Sequence, residues 1–146
     1  MITLTPHDGF ATDPLVVAQD GLATVHQLLD IGCASSVVAT RCGPSGPWQR
    51  VLPRVILLRP DAPTHHQRLR AALLYAGPDA LLTGAAALTL YDRRETLPPK
   101  VDVLVPGRVH PRSHAYVRVH RTHRPTPRIP VRGLPCVPLE RALEDA

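Results

Sequence analysis

Asp20-Gly21-Leu22-Ala23-Thr24-Val25-His26-Gln27-Leu28-Leu29-Asp30-Ile31-Gly32, then Ser35-Ser36-Val37-Val38, then Trp48-Gln49-Arg50-Val51-Leu52-Pro53-Arg54-Val55-Ile56-Leu57-Leu58, is the stretch whose reading decides the fold. Asp20-Gly21 closes a short apolar helix that Asp13 caps and Pro14 opens; proline is tolerated there because its missing N–H would have no helical partner. Thr24 caps a second helix with Val25, Leu28, Leu29 and Ile31 on one side and Gly32 as its terminator. Ser35 or Ser36 caps a third, over residues 37–42, with Val37 and Val38 turned inward. Gly43-Pro44-Ser45-Gly46-Pro47 cannot continue it. Two apolar pieces, residues 48–52 and 55–58, divided by Pro53-Arg54, read as an antiparallel hairpin, with Trp48 packing it onto the helices. The first twelve residues read as a frayed lead-in.

Helix, helix, glycine turn, helix and hairpin is the order of a winged helix-turn-helix. Three helices bury one apolar cluster, one helix stays exposed along a side that can enter a major groove, and the hairpin reaches along the backbone or minor groove. An arbitrary small α+β fold fits the same pattern.

The chain has 146 residues, 44% of them apolar and 20% charged, with 17 prolines. That is globular composition in one domain or two very small ones, without long helices. No run approaches a membrane span, and MITLTPHDGF lacks the basic and apolar regions of a secretion signal, so a cytoplasmic address is expected. Three widely spaced cysteines (33, 42, 136) form neither a disulfide framework nor a metal knuckle, and read as reduced thiols.

The net charge is +5, and it is unevenly spread. Residues 1–40 hold four aspartates and no Lys or Arg, whereas residues 106–135 hold seven Arg, four His and no acid. Sixteen of the seventeen basic residues are Arg, whose planar fork suits phosphate, although GC-rich coding produces the same bias. The acid-free stretch is a candidate polyanion face.

After residues 59–63, Thr64 caps a helix to about Ala76 with Leu69, Ala72, Leu73 and Ala76 as its stripe. Leu81-Leu82 suggests a short strand, and Thr83-Gly84 opens another helix. Val101, Val103 and Val105 alternate with Asp102 and Leu104 as in a strand. Tyr116, Arg118 and His120 alternate with Val117, Val119 and Arg121, which predicts a strand with one cationic and one apolar side. Such an alternation also fits a solvated strand face. A last helix starts near Pro138 with Leu139, Ala142 and Leu143, and its unfinished stripe suggests a chain shortened from a longer design. Domains are expected at 1–59 and 60–146: an α+β chain whose second half is a small mixed α/β domain.

Taken together, Asp20-Gly21-Leu22-Ala23-Thr24, Gln27-Leu28-Leu29, Gly32, Ser35-Ser36 and residues 48–53 resemble the N-terminal winged helix of AbiEi-like antitoxins of type IV toxin–antitoxin systems. Many actinobacterial members are described only as transcriptional regulators. Residues 70–78, Leu82-Thr83-Gly84-Ala85-Ala86-Ala87, residues 101–106, Val119-His120-Arg121-Thr122 and Gly133-Leu134-Pro135 with residues 138–143 extend the resemblance to roughly residues 13–146. It implies operator binding, autoregulation, and functional pairing with a nucleotidyltransferase-type toxin without a stable complex. Members usually carry several Arg on the third helix; here only Arg41 is basic. Some similar proteins continue into an endonuclease-like domain that needs an Asp…Glu-x-Lys constellation; this chain has one Lys, Lys100, and no such constellation.

The DNA contacts expected are Ser35, Ser36, Thr40 and Arg41 on the third helix, Gln49, Arg50 and Arg54 on the hairpin, and Arg118, Arg121 and Arg124 in the second half. No catalytic residue, cofactor or membrane association is expected. His110, His114, His120 and His123 could be written as a metal site, but Pro111 interrupts the first pair and no Cys or acid lies near, so no metal is expected. Glu140, Glu144 and Asp145 are read as acids suiting the start of a helix. The alternative is a truncated accessory or protein-interaction module that has lost most DNA binding.

Overall fold

The computed structural model describes residues 8–146, so part of the expected lead-in, residues 1–7, lies outside the described residues. The chain is α+β and divides into two compact units, Met1–Ala71 and Ala72–Ala146.

In the first unit, α1 (Asp8–Ala11) and α2 (Pro14–Ala18) precede β1 (Leu22–Thr24), α3 (Val25–Asp30), α4 (Ser35–Arg41), β2 (Gln49–Leu52) and β3 (Val55–Leu57). Asp13 accepts the Leu15 N–H at 2.9 Å and so caps α2. Thr24 and Gln27 form a reciprocal box: the Gln27 N–H donates to Thr24 Oγ1 (3.1 Å) and the Thr24 N–H to Gln27 Oε1 (2.9 Å). Two orphan donors are satisfied this way. The Gln27 and Gln19 amides also exchange hydrogen bonds at 2.9 and 3.0 Å, which ties α3 to the residue ending α2.

Gly32 ends α3 at φ +94°, and the Cys33 N–H returns to the Leu28 carbonyl at 2.9 Å. The turn is therefore tight, and α4 starts earlier than its sequence suggests. Its cap is Ala34, without a side-chain bond, while Ser35 and Ser36 lie inside the first turn. The expected serine cap is thus corrected.

The three strands order β1-β3-β2, antiparallel throughout, with Leu22 opposite Leu57, Gln49 opposite Leu57, and a bulge between Arg50 and Leu52. The hairpin is where the sequence puts it. Neither β1 nor α1 is foreseen, because each is short and abuts turn or cap residues. The core is Val16, Ala23, Leu28, Cys33, Val38, Trp48, Ile56 and Leu58, with Phe10 edge-on to Trp48 at 6.5 Å. Trp48 is buried, as its role in packing the hairpin requires. Leu29, expected inward, is 46% exposed: Val25, Leu28 and Ile31 already complete the buried stripe of so short a helix.

The helix α5 (His65–Ala76) opens on a second reciprocal pair, Thr64 with Gln67. Gln67 Nε2 donates to the Asp20 carbonyl (2.9 Å) and Arg70 Nε to the Asp20 carboxylate (3.1 Å). These bonds draw the start of α5 into the first unit, so the units divide at 71/72, past the 59/60 position read from the sequence.

The second unit holds β4 (Leu81–Thr83), α6 (Gly84–Leu90), β5 (Val101–Pro106), β6 (Val117–Thr122), β7 (Ile129–Val131), β8 (Leu134–Cys136) and α7 (Leu139–Asp145). Its sheet orders β6-β5-β4-β8-β7. The β5–β6 and β4–β8 pairs are parallel; β4–β5 and β7–β8 are antiparallel. The expected in-out alternation of β5 gives way to burial at all of residues 101–105, because this strand has neighbours on both sides and both its faces are covered.

The β7–β8 hairpin is absent from the sequence reading, since Pro130 and Pro135 face each other within it. Its turn, Arg132-Gly133, has both φ positive (51° and 79°), as a two-residue hairpin of this hand requires. The acids read as belonging to a helix start are corrected: Glu140 is in the first turn of α7, but Glu144 and Asp145 are at its end. Asp145 there accepts from Thr83 Oγ1 (2.7 Å) and from Arg141 Nε. Among the described residues, no helix is long and apolar enough to cross a membrane.

Thr24→Ala removes one arm of the α3 box and should lower the unfolding free energy by about 1 kcal/mol, read as a lower midpoint in urea with unchanged slope.

Candidate nucleic-acid interface

The outer side of α4 carries Ser35, Ser36, Ala39 and Thr40, all exposed. The Thr40 hydroxyl donates back to the Ser36 carbonyl at 2.9 Å. Arg41 is half-buried at the last residue of α4, and its carbonyl accepts the Trp48 N–H at 3.0 Å. The returning loop presses on the helix end here: a Cβ at Gly46 would lie 1.9 Å from the Arg41 carbonyl oxygen, so only glycine fits.

On the hairpin, Arg50 and Arg54 are exposed, and neither has a carboxylate partner among the described residues. Arg54 sits in the turn at φ 62°, and its carbonyl accepts the Val25 N–H at 2.9 Å, which pins the turn to the start of α3. Gln49 is engaged otherwise than the sequence suggests. Its amide nitrogen donates to the carbonyls of Arg59 (2.9 Å) and Asp61 (2.5 Å), spending both hydrogens on the chain that leaves β3. It braces the hairpin.

In the second unit β6 carries Arg118 and His120 on one side, as its alternation predicts, but an acid lies on that side too. Residues 118 and 120 point to one side of β6 and residues 117, 119 and 121 to the other, as strand geometry dictates. On the first side lies Asp102, whose side chain is 7% exposed. Arg118 grips it with two bonds, Nε to Oδ1 at 2.9 Å and Nη2 to Oδ2 at 3.1 Å. His120 Nε2 adds a third at 2.8 Å. A buried carboxylate is tolerable only with such partners. Arg118 therefore holds the edge strand to the sheet, and its charge is already answered.

Other members of the acid-free stretch find acids outside it. Arg108 pairs with Asp79 (2.6 Å) and Arg132 with Asp92 (2.7 Å), while Arg128 donates to the Pro78 carbonyl (3.2 Å). Arg112, Arg121 and Arg124 have no carboxylate partner among the described residues. Arg121 lies on the second side of β6, in an open groove of about 650 Å³ with His110, Arg112, Ser113, Val119 and His123. Arg124 lines an adjoining pocket of about 390 Å³ at the carboxyl ends of β5 and β6, with His123 belonging to both.

Of the sequence-derived residues, the structure thus brings Arg121 beside His110, Arg112 and His123, and sets Arg118 apart from them. Asp102 was missed, although a lone acid inside the apolar run Val101-Asp102-Val103-Leu104-Val105 signals a cation partner elsewhere. The four histidines do separate things: His120 binds Asp102, His110 accepts from Arg121, His114 packs near Tyr75 and His123 covers Gly107. Among the described residues no three His, Cys, Asp or Glu side chains gather as a metal site. Burial pushes the Cys136 thiol up to about 12, so it is no nucleophile at neutral pH.

No protein-family model matches this chain, and no curated protein matches it.

Arg118→Ala leaves the buried Asp102 carboxylate with His120 alone and should cost roughly 1–3 kcal/mol of stability. Arg121→Ala, on an exposed residue, should stay within about 0.5 kcal/mol. Chemical denaturation of the two variants side by side checks the contrast.

Proposed function

We propose that the protein is a non-enzymatic, DNA-binding transcriptional regulator of the type IV antitoxin kind, with the first unit serving as a winged helix-turn-helix. The supporting observation is the arrangement around α4: a helix joined to α3 by a tight glycine turn, polar along its exposed side, and followed by a hairpin that carries Arg50 and Arg54 into solvent. In this reading α4 enters the major groove with Ser35, Ser36, Thr40 and Arg41, and the two hairpin arginines grip backbone phosphates. Gln49 is withdrawn from the contact set because its donors are occupied. Arg118 is withdrawn because Asp102 neutralises it. Arg121 and Arg124 keep their charge available for phosphate. The resemblance of the sequence to AbiEi-like antitoxins adds functional pairing with a nucleotidyltransferase-type toxin, and a cytoplasmic setting, to the same proposal.

A second reading, a protein-interaction module, is favoured by one feature. The exposed side of α4 offers two serines, an alanine and a threonine where a groove-reading helix would carry cations. Base and phosphate contacts from such a surface are few, so affinity would rest on the hairpin.

A gel-shift titration against the DNA upstream of the protein's own gene separates the two. Under the regulator reading, affinity falls steeply with salt. Arg50→Ala with Arg54→Ala should weaken binding to all sequences alike and reduce the log–log salt slope by about 2, close to one unit per lost phosphate contact. Absence of binding at low salt, or binding indifferent to salt and to both substitutions, would reject it in favour of the interaction module.

A further inference from the structure

We propose that the groove on the second side of β6 binds a phosphoryl group, and that the adjoining pocket takes the nucleoside attached to it. The site lies wholly in the second unit and does not rest on the DNA-reading role of the first.

The charge of the groove is the first argument. It is lined by Arg112, Arg121, His110 and His123, and among the described residues no carboxylate lines it. Four other arginines of this unit, Arg108, Arg118, Arg132 and Arg141, are paired with acids, whereas the two in the groove keep their charge facing the recess. Two guanidinium groups and two imidazoles around one recess are the donor set for a phosphate, which accepts forked arginine bonds.

The second argument is pre-organisation. Arg121 Nη1 donates to His110 Nδ1 at 3.0 Å. Arginine has no acceptor, so Nδ1 carries no proton, and the neutral ring keeps its hydrogen on Nε2 as a further donor. The loop bearing Arg112 is tied down twice. Its Arg112 carbonyl accepts from the Tyr75 hydroxyl at 2.5 Å, and Ser113 Oγ accepts the Val119 N–H at 2.9 Å. The Arg121 guanidinium and the backbone beneath Arg112 are thus held before a ligand arrives, which lowers the ordering cost of binding.

The third argument is the neighbouring pocket. It opens at the carboxyl ends of the parallel strands β5 and β6, the position where open sheets receive ligands. Its lining includes the buried apolar residues Leu81, Leu104 and Val105 together with Thr122, Arg124 and Thr126, and its one carboxylate, Asp79, is already paired with Arg108 at 2.6 Å. A volume of about 390 Å³ accommodates a nucleoside. An apolar lining serves a base better than it serves the ridge of phosphates on a duplex.

His123 is the wall shared by groove and pocket, and Gly107 sets its place. A Cβ on Gly107 would fall 2.3 Å from His123 Cε1, so the imidazole lies directly over that backbone. Gly107→Ala must therefore swing the ring away. His123 is exposed and its ring is the free end of the side chain, so the backbone need not move.

Isothermal titration calorimetry on the full chain tests the proposal, with the four 5′-nucleoside monophosphates, inorganic phosphate, adenosine, and a single-stranded oligonucleotide with and without a 5′-phosphate. At least one monophosphate should bind more tightly than either phosphate or adenosine. Arg121→Ala should weaken it by roughly tenfold to a hundredfold, and Gly107→Ala should weaken it with the melting temperature unchanged. The Arg50→Ala, Arg54→Ala double variant should bind it normally, which keeps failure here distinct from failure of the DNA reading. Competition by the phosphorylated strand but not the unphosphorylated one supports the site and names a strand end as its source. Binding of the free nucleotide alone supports it with the mononucleotide as ligand. The proposal falls if no monophosphate binds, if inorganic phosphate binds as tightly, if Arg121→Ala or Gly107→Ala changes nothing, or if duplex DNA displaces the nucleotide from the double variant.

Discussion

One buried carboxylate organises the second unit. Asp102 sits in a strand whose other residues are apolar, with both faces covered and its own side chain almost wholly out of water. An unpaired charge in that place would cost several kcal/mol. The parallel register sets Arg118 opposite Asp102, and His120 follows two residues on, on the same side. The ion cluster therefore works only in this register. A slip of one residue would bring valines to the acid and turn the cations away. Satisfying Asp102 therefore favours this one registration of the edge strand over its neighbours.

That choice divides the arginines by task. Arg118 is spent internally, and Arg108 and Arg132 meet acids from distant loops. Among the cations of this unit without a carboxylate partner, Arg112 and Arg121 line one groove on the side of β6 that Asp102 does not occupy, and Arg124 lines the adjoining pocket. In the first unit the same sorting leaves Arg50 and Arg54 exposed on the hairpin. A net charge of +5 spread evenly would predict only diffuse attraction; the groove beside β6 adds a shaped place where two arginines and two histidines meet.

Local physics was legible in the sequence and long-range pairing was not. Asp13, Thr24 and Gly32 mark helix ends through bonds made within a few residues, and the structure places those ends accordingly. The hairpin around Pro53-Arg54 and the burial of Trp48 follow from the same short-range signals. The short strand β1 escaped because Leu22, Ala23 and Thr24 also spell the approach to a helix; only pairing with β3, more than thirty residues on, makes them a strand. The β7–β8 hairpin escaped because prolines argue against strands until one sees them opposite each other at a short edge. For the candidate site, the excess of arginine between residues 106 and 135 was visible, but which guanidinium groups were already answered was not. Asp79, Asp92 and Asp102 all lie outside that stretch and come to it only through folding.

The glycine that closes on the end of α4 fixes how far that helix can extend. With the returning loop against the Arg41 carbonyl and the Trp48 N–H bonded to it, α4 stops at seven residues. That is about 10 Å of helix, the length of roughly three stacked base pairs. Under the regulator reading, such a helix resolves about six bits of sequence, far too little to single out one address in a chromosome. Selectivity would then have to come from multiplicity, with several copies engaging repeated sites, and the spacing of those repeats would carry the information that a helix this short cannot hold.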